Sequence, residues 1–444
     1  MRNIGKKSLG LTALKATGSA IAACVFGLAV VQSAQADGLN VWDDYTFEGQ
    51  SATIEQLNKA FEAAHPGVTI NRTARTFDDM KLTLKLAVSA GDGPMVTKVN
   101  QGAGDMGTMV KEGLLQPVDA YITKFGWDKL QSDSLIARDR WSDKGQFGEG
   151  PTYGISGLGE MVGLFYNKKV LEDAGLPVPT NFDEFTADLD KLKEKGIAPF
   201  MIGTSKQHMA LHMIATVSQA HVDAAKRSTL DDLIYGRGGS WKTEGNVTAA
   251  SLIQKWATGG YFYPGFQGIS GDDAVQLFVA GQGAFLISGT WYFGDMQNNP
   301  DIHFMPFPAP HGVEKPLTVG GVDLAWSITS LAKDKATQDL AGEYINYMVS
   351  PEAALTWAKA GYLPSTILPD NADFQASTLL KEGIAMWKQV NANNALGHYP
   401  DWSAPTLLKT IDDATPHLLA GDMKPEDFVG AIDADYQAYL ASKK

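Results

Sequence analysis

Apolar positions recur at three- and four-residue intervals over residues 51–64, where Ile54, Leu57, Phe61 and Ala64 fall on one helical face. Ser51 stands where an N-cap would, with Glu55 behind it, and His65-Pro66-Gly67 stops the helix. Residues 39–42 before it and Val68-Thr69-Ile70 after it read as strands. The cycle then repeats. A helix is predicted over 77–90, ended by Gly91-Asp92-Gly93-Pro94, then a strand over 95–99 and a helix over 107–112 stopped by Gly113. Strands alternating with helices predict right-handed crossovers and a mainly parallel sheet. Ligands of such sheets sit beyond the carboxyl ends of the strands. Those ends fall at Trp42-Asp43-Asp44 and at Asn100-Gln101.

The pattern lapses at Phe147-Gly148-Glu149-Gly150-Pro151, which reads as a loop. A second α/β unit follows. It has a strand over 161–166, a short helix over 168–174 with Gly175 as its C-cap, and a helix over 182–195 opened by Asn181. Further helices are predicted over 248–258 and 272–280. The stretch FVAGQGAFLISGTW, 278–291, runs from a helix end through glycines into a short apolar strand and stops at Trp291. Residues 318–330 read as strand–loop–strand and 338–349 as a helix. The last third is helix-rich and carries Trp357, Trp387 and Trp402.

The first residues obey a different pattern. Arg2, Lys6 and Lys7 precede an apolar run over 16–31, and Ala34-Gln35-Ala36 offers a signal-peptidase site. The run is short for a membrane span. Cleavage after Ala36 leaves 408 of the 444 residues and takes the net charge from −13 to −17. The one cysteine, Cys24, lies in this run. Ile21-Ala22-Ala23-Cys24 is a loose lipobox and gives a second reading, an anchored lipoprotein. The apolar residues that continue past Cys24 favour simple export. An exported chain without cysteine has no disulfide and must rely on a large core. Its length suits two lobes. Its acidity argues against nucleic acid or anionic membranes as partners.

Gly102-Ala103-Gly104-Asp105-Met106-Gly107 matches the dinucleotide-binding spacing and follows a strand. The second strand with its ribose-binding acid is missing, so the glycines are read as a tight turn and no cofactor is expected. His208 and His212 are one helical turn apart, with His221 further on, but no glutamate follows His208 as a zinc protease requires. No metal is expected. Asp43 and Glu160 could form a glycosidase couple, although fifty acids make such pairs inevitable. Most large aromatics are core. Trp42 beside Asp43-Asp44, Trp291 after Ser-Gly-Thr, and Trp402 in Tyr-Pro-Asp-Trp-Ser instead stand in polar surroundings. A flat ring beside acids and amides suits a sugar, whose C–H face stacks while its hydroxyls hydrogen-bond.

Five blocks in order, GLFYNKKVLEDAGLPVPTNFDEF, LFVAGQGAFLISGTW, VGGVDLAWSIT, AGEYINYMVSPEA and GYLPS, resemble the sugar-binding extracellular solute-binding proteins of bacterial ABC importers, the maltodextrin-binding type included. Gly283, where that family often has alanine, and Pro-Met-Val, where it usually has Pro-Asp-Val, depart from the pattern. The resemblance implies a type II periplasmic-binding-protein fold. Two α/β lobes, 37–149 with 316–360 and 150–315 with 361–444, would be joined by a hinge around a ligand cleft. It implies that Trp291 stacks on sugar, joined by Trp42, Asp43 and Asp44 from the first loop and Asn100 and Gln101 from the third. Glu160, Gln207, His208, Gly321, Asp323, Asp401 and Trp402 complete the implied set. It further implies a monomeric periplasmic protein that binds a mono- to oligosaccharide, delivers it to permease subunits and performs no chemistry. Arg72, Arg75, Lys98 and Lys206 near predicted loops keep open a sugar acid, a glycerol phosphate or a polyol as ligand, and a secreted glycoside-acting enzyme is the rival reading.

Overall fold

The first strand, β1 (Asp37–Asp43), alternates buried Leu39, Val41 and Asp43 with more exposed Asn40 and Trp42. It opens the computed structural model, which describes residues 37–206, 208–366, 368 and 374–443. The export signal, Cys24 and Gln207 lie outside these. β1 pairs in parallel with β2 (Val68–Ala74) and β3 (Val96–Val99). Two short later strands complete the sheet, β4 (Leu115–Gln116) and β11 (Ala325–Thr329), in the order β2-β1-β3-β11-β4. β11 runs antiparallel to both neighbours.

A hairpin of β5 (Arg140–Trp141) and β6 (Phe147–Thr152) occupies the stretch expected to be a loop. Its glycines explain the misreading. Gly148 sits at φ +81°, and a Cβ there would meet the Tyr235 ring at 2.7 Å, so this strand needs the residue that usually marks a turn.

The second sheet is built on β7 (Gly159–Asn167), with β8 (Phe285–Gly289), β9 (Ile302–Met305) and β10 (Gly320–Val322). Its four strands pair antiparallel, unlike the parallel sheet expected from the strand–helix alternation, and only an isolated bridge from Phe200 to Phe285 on β8 is parallel. The connections are long enough to reverse direction, which periodicity cannot report. The chain leaves β10 in this sheet and enters β11 in the other within two residues, Asp323 and Leu324.

Helix ends follow local chemistry. Thr76 accepts from the Asp79 amide at the start of the helix Phe77–Ala90, and Gly91 ends it at φ +83°. Asn181 and Ser270 cap the helices Phe182–Glu194 and Gly271–Val279 in the same way. The first helix, Glu48–Ala64, begins a turn before Ser51, whose hydroxyl instead receives Arg72. One apolar cluster gathers β1, the helix Glu48–Ala64 and the helix Lys335–Met348. A larger one runs from Met80 and Trp141 through the second sheet to the C-terminal helices.

Candidate functional site

A cavity of about 320 Å³ opens where the strand ends of both sheets meet. Its wall takes Asp44 to Phe47 after β1, Asn100 and Gln101 after β3, and Glu160 early in β7. Trp291 follows β8, Asp323 stands between β10 and β11, and Tyr399, Asp401 and Trp402 come from a late turn. Ligand-sized concavities at such strand ends are the usual binding places of open α/β sheets.

Lys98, on β3, organises the floor. Its side chain is fully buried and reaches Asp44 Oδ1 at 2.7 Å and Asp323 Oδ2. Its ammonium also lies 3.6 Å from the centre of the Tyr45 ring. The Tyr45 hydroxyl donates to Asp323 Oδ2 at 2.7 Å, and Gln101 Nε2 donates to the Asp323 carbonyl at 3.1 Å. Burial alone would lower the Lys98 pKa, but Asp323 and Asp44 outweigh it and raise it. Burial pushes the Asp44 carboxyl up to about 6 against the pull of Lys98. Burial, with the neighbouring Asp323 carboxylate, drives Glu160 well above the usual carboxylate range. The Tyr399 hydroxyl donates to Glu160 Oε2 at 3.3 Å.

Aromatic groups form the walls. Trp291 is half-buried and folds back over Gly289, where a Cβ would sit 1.9 Å from the ring. Glycine at that strand end is what lets the indole lie flat. His212, 5.1 Å from the Trp291 ring, has its pKa lowered to about 3, chiefly by burial. Phe47 meets Tyr292 at 5.4 Å from the opposite side, and Tyr399 packs on Trp402 at 5.2 Å. At the rim, Asp78 accepts from Lys206 Nζ at 2.5 Å and contacts His208 Nε2 at 2.8 Å. The His208 contact, with Lys206 adding, holds the Asp78 carboxyl well below its ordinary range.

Of the residues expected at the site, Asp44, Asn100, Gln101, Glu160, His208, Trp291, Asp323, Asp401 and Trp402 line this cavity. Asp43, Trp42 and Gly321 do not. Asp43 is fully buried and takes a bidentate pair from Arg72, Nε at 2.7 Å and Nη2 at 2.8 Å, which fixes the loop after β1 from behind. Trp42 lies under the Arg75 guanidinium, 3.9 Å away, outside the cavity. Gly321 makes room for buried Arg138, which donates to the Gly320 and Gly397 carbonyls at 2.5 and 2.8 Å. The Asp43–Glu160 couple therefore does not assemble on one cavity. The glycines of 102–107 are packing devices: Gly102, at φ +92°, lies against Trp402, and Gly107 against Trp141. His208 and His212 face the cavity and His221 bonds the Val217 carbonyl. Three of the four basic groups are engaged with carboxylates, Arg72 with Asp43, Lys98 with Asp44 and Asp323, and Lys206 with Asp78, while Arg75 lies over Trp42 outside the cavity.

Tyr45, Asp78, Tyr292 and Tyr399 are wall residues that the sequence reading did not place. Tyr45 follows Asp44 directly and carried a local signal. Tyr399 carried none, since it meets Glu160 across 239 residues.

The family model described as bacterial extracellular solute-binding protein matches residues 46–355. A "Probable sugar-binding periplasmic protein" of Brucella suis biovar 1 (strain 1330) is 25% identical over 96% of this chain and 99% of its own. A protein of the same description from Rhizobium meliloti (strain 1021) is 25% identical over 95% of this chain and 98% of its own. Among solved structures, a chitin oligosaccharide binding protein shares the fold with a TM-score of 0.78 at 21% identity, over 92% of this chain and 100% of its own.

Proposed function

The chain belongs to the bacterial extracellular solute-binding proteins, and from that premise we propose that it captures a carbohydrate in the cleft between its two sheets and hands it to an ABC importer. The observation that carries the ligand class is the wall itself, with Trp291 facing a floor of Asp44, Glu160 and Asp323. An apolar ring face beside hydrogen-bond acceptors matches the two chemistries of a sugar. The names of the relatives point the same way. Sugar acids and phosphates fit poorly, because the nearby cations are already spent on carboxylates.

In this reading residues 1–36 direct export to the periplasm and the mature chain acts as a monomer. The lobes follow 37–149 with 316–360 and 150–315 with 361–444. The return to the first lobe is best drawn at Asp323, since β10 pairs in the second sheet. The chain binds and releases without chemistry. Closure is a population shift toward the state whose contacts span the cleft, Asp78 with Lys206 and His208 among them. Asp78→Asn is expected to weaken binding by about 1 kcal/mol, the scale of a partly exposed ion pair. The loss should fall mainly on release. Stopped-flow displacement of bound ligand checks this, and an unchanged release rate would count against a closing role.

Thermal unfolding of ligand-free protein against neutral sugars, polyols and sugar acids tests the ligand class. A ligand at a hundredfold excess over Kd should add about 2.7 kcal/mol and raise Tm. A shift with sugars that are then recovered intact is the expected result. No shift with any sugar, or consumption of one, would overturn the reading.

A further inference from the structure

The charges around the cavity do not balance. Six carboxylates line it: Asp44, Asp78, Glu160, Asp272, Asp323 and Asp401. Asp78 is met by Lys206 and His208, while Asp44 and Asp323 share Lys98. Asp272 accepts from the Tyr292 hydroxyl at 2.9 Å. Glu160 and Asp401 have no ion-pair partner among the described residues. Both are partly buried, and a carboxylate drawn part-way out of water without a counter-charge is disfavoured.

A second observation points to a donor-rich ligand. Gln101 and Ser288 are among the lining residues, and Gln101 Oε1, an acceptor only, and Ser288 Oγ, donor or acceptor, are buried without a hydrogen-bond partner among the described residues. A ligand that accepts would leave Gln101 Oε1 empty and add to the repulsion among the acids. A metal ion does not suit the arrangement, since no three His, Cys, Asp or Glu side chains converge as metal ligands among the described residues. The acids come from separate elements around the cavity, Asp44 after β1, Glu160 on β7 and Asp323 between β10 and β11. A primary ammonium brings three donors and the missing charge.

Resting on the carbohydrate reading, we propose that the cleft prefers an amino-substituted saccharide, a sugar or short oligosaccharide with a protonated primary amine, and that Glu160 is the counter-ion. The sugar ring lies on Trp291. Burial, with the neighbouring Asp323 carboxylate, raises the Glu160 pKa in the empty cleft and so disfavours its charged form there. The arriving ammonium makes the carboxylate the favoured form, and the carboxyl proton leaves to solvent. The one bond that breaks is the carboxyl O–H, its proton is taken up by water or buffer, and binding is accompanied by net proton release.

The test is calorimetry on the full, ligand-stripped protein with matched pairs: glucosamine and glucose, galactosamine and galactose, mannosamine and mannose, and the glucosamine disaccharide and cellobiose. In at least one pair the amino member is expected to bind tenfold or more tightly than its neutral parent. Its heat should change between buffers of different ionisation enthalpy, as proton release requires. Neutral parents that bind as tightly as their amino partners in every pair that binds would overturn the amine preference and leave the carbohydrate reading standing. No binding by any member, amino or neutral, would instead sink the carbohydrate reading. Glu160→Gln should bring the amino-to-neutral affinity ratio down fivefold or more, and a ratio unchanged in the folded variant would remove Glu160 as counter-ion.

Discussion

Lys98→Met is expected to destabilise the protein by about 3–5 kcal/mol, the cost of breaking a buried ion pair from one side. The side chain is fully buried and is the shared partner of Asp44 and Asp323. Methionine fills the volume, so the loss is one of charge and not of packing. The deficit should depend on pH with a definite sign. The folded pKa of Asp44 is already raised, to about 6 from 3.8, by burial. A carboxyl raised in the folded state binds protons more tightly folded than unfolded, so acidification stabilises it. Without Lys98 the rise is larger, so the variant's deficit grows as pH rises above about 6 and shrinks as pH falls below it. Urea unfolding of both proteins at pH 8 and pH 5 measures this. A deficit below about 1 kcal/mol at pH 8, or one equal at both values, would refute the role given to Lys98.

Trp291→Ala is expected to weaken carbohydrate binding by about 2 kcal/mol or more, the size found for aromatic anchors at binding surfaces. The ring is half-buried and rests on Gly289. Its removal should therefore cost the empty protein much less than it costs the complex. A rigid platform held ready also spares the ordering cost that a mobile side chain would add on binding. Titration of the variant with the sugar that shifts the wild-type Tm, together with the Tm of the empty variant, separates the two effects. Unchanged affinity in a well-folded variant would remove Trp291 from the site.

The contrast between Asp43 and Asp44 shows where the sequence was readable and where it was not. Both stand at the end of a strand that periodicity locates well. Which of the two faces the cavity depends on Arg72, brought beside β1 by the parallel register that pairs Val41 with Arg72. That register is a tertiary fact. The helix Phe77–Ala90 was legible at both ends because Thr76 and Gly91 mark them locally. The helix Glu48–Ala64 starts after Phe47, which offers no side-chain cap, so Ser51 drew the boundary too late. Trp291 could be placed because glycines and a short apolar strand frame it in one continuous stretch. The antiparallel pairing of the second sheet could not, because β7, β8 and β9 meet across more than a hundred residues. Local capping and periodicity report elements, while the lysine shared by distant acids emerges only when the elements are assembled.

The passage from β10 to β11 has a mechanical consequence. Between the last residue paired in one sheet, Val322, and the first paired in the other, Ala325, stand Asp323 and Leu324. Any change of angle between the sheets must turn in part on the backbone torsions of Asp323. That residue also carries the carboxylate that holds Lys98 and Tyr45 at the cavity floor. Fulcrum and charge are thus one residue. A rotation of one sheet against the other there would also move the carboxylate that holds Lys98 and Tyr45.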